Sequence, residues 1–205
     1  MGRLFGTDGA RGIAVKELTC ELAMQIGRAS ALVLTKAKNH KPVILIGKDT
    51  RISSDILESA LCAVICSVGA DAVILGVVPT PAVAYLVKEK KADAGVMISA
   101  SHNSVEYNGI KLFSSTGYKL SDDTEAEIER LILDNPEEIV LKSHTEVGRI
   151  RHCENAVESY INHVKSSVKG DFEGMKVILD CANGSSSATA KQIFGGIGAD
   201  CMYIN

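Results

Sequence analysis

Gly95-Val96-Met97-Ile98-Ser99-Ala100-Ser101-His102-Asn103 is a short apolar run that breaks into small and polar residues. It continues to Tyr107-Asn108-Gly109-Ile110-Lys111. An apolar run of this length, bounded by turn formers, reads as a strand buried on both faces. A serine where such a strand ends is held exposed, and Lys111, ten positions on, can supply charge or a proton to whatever the serine reacts with. That arrangement suits a serine that carries a phosphoryl group.

Outward from this stretch, apolar strands alternate with amphipathic helices, the pattern of an α/β domain. A helix is predicted over 19–37, with Leu22, Ile26, Ala29 and Val33 on one face. Val43-Ile44-Leu45-Ile46-Gly47 reads as a buried strand, and Ser53 or Ser54 as the cap of the next helix, which Gly69 ends. A strand over 72–78 stops at Pro79-Thr80-Pro81, and Pro81 suits the first turn of a helix running to about Lys90. Strands follow over 94–99 and 109–113. An acidic helix begins at Ser121-Asp122-Asp123 and ends before Pro136. The pattern loosens over 141–150, so the chain is divided there into units 1–150 and 151–205. The second unit reads as a helix over 153–168, a strand over 177–180, a helix over 185–194 and a strand over 199–204. Four elements in so short a span bury too little apolar surface for an independent core, so further sequence is expected after Asn205.

The 205 residues are 46% hydrophobic and 23% charged, an ordinary globular composition. A formal net charge of −3 gives no basic field for nucleic acid or an anionic membrane. No signal-peptide core and no apolar run of spanning length is present. The six cysteines are scattered, without zinc-site spacing, and read as reduced core thiols of a cytoplasmic protein.

Ligands of open α/β sheets sit beyond the carboxyl ends of the strands. Here three such ends carry Gly47-Lys48-Asp49-Thr50-Arg51, Pro79-Thr80-Pro81 and Ala100-Ser101-His102-Asn103, and parallel strands would bring them to one edge. Gly6-Thr7-Asp8-Gly9-Ala10-Arg11-Gly12 can bring amides and a guanidinium to phosphate oxygens, or can be a structural turn. Lys48, Asp49 and Arg51 equally fit a solvated loop, His102 a hydrogen-bonded loop residue, and Lys111 a side chain that snorkels to solvent. Hydrolysis with His102 as the base of Ser101 is disfavoured: neighbours in extended chain point apart, and the G-x-S-x-G elbow is absent.

Taken together, these four segments resemble the α-D-phosphohexomutase family in order and approximate spacing. The resemblance covers the whole chain, including Asp180-Cys181-Ala182-Asn183-Gly184, which looks like the opening of that family's second domain. It implies a three-layer α/β/α domain with a mixed, mostly parallel sheet, followed by the start of a second similar α/β domain. It implies that Ser101 is the phosphoserine, that Arg11 clamps phosphate, that Lys111 moves the proton of the sugar hydroxyl, and that His102 assists. Asn103, Thr7, Arg51 and Asn108 would bind or orient the phosphate and substrate. The partner implied is a small sugar phosphate, with no nucleic acid and no membrane, and a homodimer is compatible with the full-length form. Asp8 and Ser99, where relatives commonly have serine and threonine, favour the branch that interconverts the 6- and 1-phosphates of a hexosamine. The alternatives are a glucose or mannose phosphate mutase of the same family and a non-catalytic sugar-phosphate-binding module.

Two positions depart from the family pattern. Ser104 stands where proline is usual and Tyr107 where aspartate is usual, which removes a backbone restraint and a carboxylate from the reactive loop. The family also binds Mg²⁺ through a D-x-D-x-D loop and an oxygen of the phosphoserine. Ser101 is the one ligand found here, and the aspartates are expected beyond Asn205. The 205 residues alone are therefore expected to be inactive.

Overall fold

The computed structural model describes residues 2–36 and 38–205. A six-stranded sheet has the order β1-β5-β4-β2-β3-β6. Its strands are β1 (Ala10–Ile13), β2 (Val43–Lys48), β3 (Asp71–Val77), β4 (Ala94–Ile98), β5 (Tyr107–Ser114) and β6 (Ile150–His152). β4, β2, β3 and β6 run parallel, while β5 and β1 are antiparallel to their neighbours, so the sheet is mixed and mostly parallel as expected.

Both faces are covered, which is why the inner strands read as unbroken apolar runs. Ile44, Ile46, Val96 and Ile98 point into one core beneath α1 (Cys20–Thr35), α2 (Ser53–Ser67) and α4 (Asp122–Leu133). Leu45, Leu75 and Met97 point into the other, beneath α3 (Thr80–Glu89) and α5 (Ala156–Ser167). The alternation of consecutive residues between two cores is the period-two geometry of a strand. Gly95 lets α3 approach closely, since a Cβ there would lie 2.6 Å from Val87 Cγ2.

Local chemistry sets the helix starts. Thr19 and Ser121 cap α1 and α4 by accepting from the amides of Leu22 and Thr124. The expected cap of α2 is corrected: Ile52 occupies that position with no side-chain cap, because Ser54 donates instead to Asp49 and Ser53 accepts from Asn108. Ala37, the expected last residue of α1, lies outside the described residues.

Two strands escaped the sequence reading. β1 is part of the glycine-rich segment expected as a loop; its residues Ala10 to Ile13 pair with Ile110 to Tyr107, leaving only a tight turn in which the Gly6 amide donates to the Gly9 carbonyl. β6 is three exposed residues with no periodicity to read. β6 pairs with β3, and α5 packs on α3, with the Tyr85 and His163 rings stacked at 3.8 Å. Beyond them β7 (Lys176–Asp180), α6 (Ser187–Gly196) and β8 (Asp200–Ile204) form a separate parallel strand pair. Its outer face leaves Ile178 and Met202 exposed.

Candidate active site

β4 ends at Ile98, and the chain turns through Ser99 and Ala100 to Ser101, whose φ of 59° is left-handed. That conformation is costly for a residue with a Cβ and persists only where neighbours impose it. Here the Ser101 amide donates to Ser99 Oγ at 3.0 Å, and Ser99 itself is held to β5 by its amide on the Gly109 carbonyl at 2.9 Å. Gly109 admits this approach, because a Cβ would stand 2.7 Å from the Ser99 carbonyl oxygen.

Arg51 secures the turn from the neighbouring strand end. Its Nη2 donates to the carbonyls of Ser101 at 3.2 Å and Asn103 at 2.6 Å, while Nη1 pairs with Asp49. Asp49 is buried and also accepts from Ser54 Oγ at 2.9 Å and the Arg51 amide at 3.0 Å. This segment is therefore a packed ionic clasp and not a solvated loop. Lys48 is likewise engaged, with Asp55 at 2.8 Å and Glu58 at 2.7 Å. Burial opposes its charge, but those carboxylates outweigh it and raise its pKa.

On the opposite side Arg11 Nη1 donates to Asn103 Oδ1 at 3.0 Å, and its Nη2 lies 3.5 Å from Asp8. Ser101 Oγ lies 3.3 Å from His102 Nδ1, a contact the sequence argument had disfavoured. The premise fails because Ser101 is left-handed and not extended. Ser104, where the family pattern has proline, takes part in a turn in which its carbonyl accepts from the Tyr107 amide at 3.1 Å.

Ser101, His102, Asn103 and Arg51 line one cavity of about 920 Å³. Residues just ahead of α2, α3 and α6 line it too, so three helices begin at its wall and present the positive ends of their dipoles. The wall from Cys181 to Ser186 was read in the sequence only as the start of a second unit. Thr50 Oγ1 ties it to the first unit by donating to the Asn183 carbonyl at 2.7 Å. The signal was legible: a strand end, Asp180, followed by Asn183-Gly184 and then a helix.

The other expected site residues stand apart from this cavity. Lys111 lines a smaller one with Asp8, Gly9 and Thr80, and Thr80 borders both. Thr7, at the tip of the N-terminal turn, lines a third beside Lys119 and Glu125. Asn108 is fully buried. Its Nδ2 donates to Ser53 Oγ and Ser54 Oγ, each at 3.0 Å, and its Oδ1 accepts from the Gly109 amide at 2.8 Å. In this geometry Asn108 joins α2 to β5 and offers no donor to the cavity.

The residues present do not form a metal centre by themselves. Among the described residues no group of three or more His, Cys, Asp or Glu side chains could hold an ion. Asp49, the carboxylate among the cavity-lining residues, is spent on Arg51 and Ser54.

Fold and site define a class: an α/β/α domain that presents a left-handed, exposed serine at a sheet edge where three helices begin. The chain belongs to the phosphoglucomutase/phosphomannomutase family, whose alpha/beta/alpha domain I matches residues 2–138. Over its whole length it is 55% identical to a phosphoglucosamine mutase of Acetivibrio thermocellus and 58% identical to one of Clostridium acetobutylicum, covering 46% of each. The chain thus spans about half the length of the curated relatives it matches. Among solved structures, a phosphoglucomutase/phosphomannomutase family protein of Burkholderia thailandensis superposes with a TM-score of 0.81 at 22% identity, covering 98% of this chain and 43% of that one. A phosphomannomutase-like protein of Thermus thermophilus gives 0.79 at 25% identity, with 98% and 45% covered.

Proposed function

We propose that this chain is the phosphoserine-bearing part of a phosphoglucosamine mutase, which interconverts glucosamine 6-phosphate and glucosamine 1-phosphate. The observation that carries the reading is Ser101 itself, left-handed and exposed, clasped through its carbonyl by Arg51 and facing a cavity walled by helix starts. Identities of 54% to 58% to proteins named for that reaction support the substrate.

In the proposed cycle the phosphorus–oxygen bond to Ser101 Oγ breaks as a sugar hydroxyl oxygen bonds to phosphorus. The hydroxyl gives up its proton to Lys111, and an equivalent proton reaches Ser101 Oγ from solvent in the open cavity, so that none is gained or lost overall. A bound 1,6-bisphosphate results, which turns over and returns its other phosphoryl group to Ser101. Such transfer depends on in-line positioning and on compensating charge at the phosphoryl oxygens. Arg11 supplies a guanidinium beside Asn103, His102 a ring nitrogen beside Ser101 Oγ, and the helix starts supply amides. Thr7 orients substrate from the N-terminal turn, and Arg51 and Asn108 act by holding the loop and its supporting strand.

Mg²⁺ belongs to the proposal for the whole protein, with an oxygen of phosphorylated Ser101 as its contact to this chain. A division near residue 150, a cytoplasmic location and a homodimer of the full-length form are proposed with it. Among the described residues no helix is long and apolar enough to cross a membrane.

The test compares glucosamine, glucose and mannose 6-phosphates as substrates of the full-length protein. A kcat/KM at least ten-fold higher for the glucosamine phosphate is expected, about 1.4 kcal/mol of discrimination. A preference for glucose or mannose phosphate would move the protein to a sister activity. No turnover of any, with no phosphate on Ser101, would leave a binding module.

A further inference from the structure

The wall of the Ser101 cavity that runs from Cys181 to Ser186 belongs to a unit attached at two points. At one, α6 rests on α5, so closely that a Cβ at Gly196 would lie 2.6 Å from Lys165 Cε. At the other, on the cavity itself, Thr50 Oγ1 donates to the Asn183 carbonyl at 2.7 Å. Among the described residues this is the one hydrogen bond or ion pair that joins residues 171–205 to residues 1–167. Burial adds little, since Thr189 and Ala190 are the buried residues of α6, and β7 and β8 alternate between exposed and half-buried positions.

Both ends of the Thr50 bond are held in place. Ala182 and Asn183 are left-handed, with φ of 49° and 51°. Their turn is closed by the Ala182 amide on Asp180 Oδ1 at 2.9 Å and by the Gly184 amide on the Cys181 carbonyl at 2.8 Å. Thr50 stands between Asp49 and Arg51, the pair that clasps the carbonyls of Ser101 and Asn103. Three consecutive residues of one loop therefore connect the Ser101 turn to the opposite wall. Thr50 and Asn183 are both exposed, so water can take the place of the hydroxyl, and the bond serves placement more than folding. A neutral hydrogen bond shifts an equilibrium about five-fold, roughly 1 kcal/mol. That is enough to bias a wall between open and closed positions and too little to lock it.

We propose that Thr50 is a positioning residue that latches the Cys181–Ser186 wall across the cavity and so retains the bisphosphate while it turns over. The inference rests on the proposed mutase cycle, in which one end of the bisphosphate leaves Ser101 before the other end arrives. During that interval the walls keep it from escaping. A bisphosphate that escapes leaves Ser101 with a free hydroxyl, and the enzyme stops until another bisphosphate returns a phosphoryl group.

The test uses the full-length protein, phosphorylated on Ser101 with a hexose 1,6-bisphosphate and then freed of it. With glucosamine 6-phosphate as substrate, the product formed per enzyme before activity stops is measured. Hydrogen exchange of peptides spanning Gly184 to Ala190 is read by mass spectrometry on the same samples. Thr50→Val removes the donor and is expected to lower the product per enzyme roughly three- to ten-fold and to speed the exchange, with the urea midpoint unchanged. Added bisphosphate is expected to restore its turnover, which separates escape from damage at Ser101. Thr50→Ser keeps the donor and is expected to match the parent in both measurements. Parent-like product per enzyme in Thr50→Val, unchanged exchange, failure of added bisphosphate to restore turnover, or a Thr50→Ser variant as impaired as Thr50→Val would each overturn the proposal. A parent that takes no phosphate on Ser101 strikes the mutase reading itself, and retention by Thr50 falls with it.

Discussion

Arg51 Nη2 donates to the carbonyl oxygen of Asn103 at 2.6 Å, and the same guanidinium pairs with the buried Asp49. One side chain thereby links the end of β2 to the turn after β4 and fixes where Ser101 Oγ stands. In-line transfer tolerates little displacement, so this clasp connects packing directly to chemistry.

Replacing Arg51 by alanine leaves the Asp49 carboxylate buried without its partner. A loss of about 3–5 kcal/mol of stability is expected by urea denaturation. Arg51→Lys keeps the charge but cannot span Asp49 and two carbonyls. It is expected to recover part of the stability while kcat stays down roughly 100-fold.

Gly109→Ala places a methyl against the Ser99 carbonyl at 2.7 Å and the Ala10 carbonyl at 3.2 Å, both backbone atoms that cannot swing away. Overpacking of this kind costs about 1–3 kcal/mol, read as a lower urea midpoint, and turnover is expected to fall with it. A variant as stable and active as the parent would show that the Ser101 turn tolerates displacement.

Glu129 anchors the N-terminal segment. Its carboxylate accepts from the amides of Arg3 at 3.0 Å, Leu4 at 2.7 Å and Phe5 at 2.9 Å. Burial alone would raise its pKa, but those amides, with the Arg3 guanidinium, outweigh burial and hold it below the ordinary value. A carboxyl with a depressed folded-state pKa contributes stability above its unfolded value of about 4.3 and loses it as pH falls through the folded value. Glu129→Gln is therefore expected to cost about 1–3 kcal/mol at pH 7, the difference from the parent shrinking below about pH 4. A pH-independent difference in urea denaturation would contradict this.

The strands that carry the site were legible because burial on both faces makes β2, β3 and β4 continuous apolar runs ending in polar residues. β1 was not, since Ala10-Arg11-Gly12-Ile13 has turn-like composition and becomes a strand only through long-range pairing with β5. The ionic role of Asp49 was hidden for a similar reason: its partners lie in sequence at 51 and 54 but act on a loop some fifty residues away. Asn108 was read as a phosphate or substrate ligand from its motif, and its burial follows from the hydrogen bonds of its Nδ2 to Ser53 and Ser54, some fifty residues away in sequence, which spacing does not encode.

The 205-residue chain by itself is expected to show no mutase turnover, because no cluster of metal-holding side chains occurs among its described residues and it spans about half of its relatives. Purified chain assayed with glucosamine 6-phosphate, a bisphosphate activator and Mg²⁺ checks this. Measurable interconversion would mean that these 205 residues suffice for the reaction.

The central claim is that Ser101 carries the phosphoryl group, and phosphopeptide mapping tests it most directly. The full-length protein is incubated with a hexose 1,6-bisphosphate, digested and read by mass spectrometry. One phosphate per chain on Ser101 is predicted, absent from Ser101→Ala, whose turnover is expected to fall at least a thousand-fold, roughly 4 kcal/mol of transition-state stabilisation. An active enzyme with no phosphate on Ser101, or with its phosphate on another residue, would contradict the account.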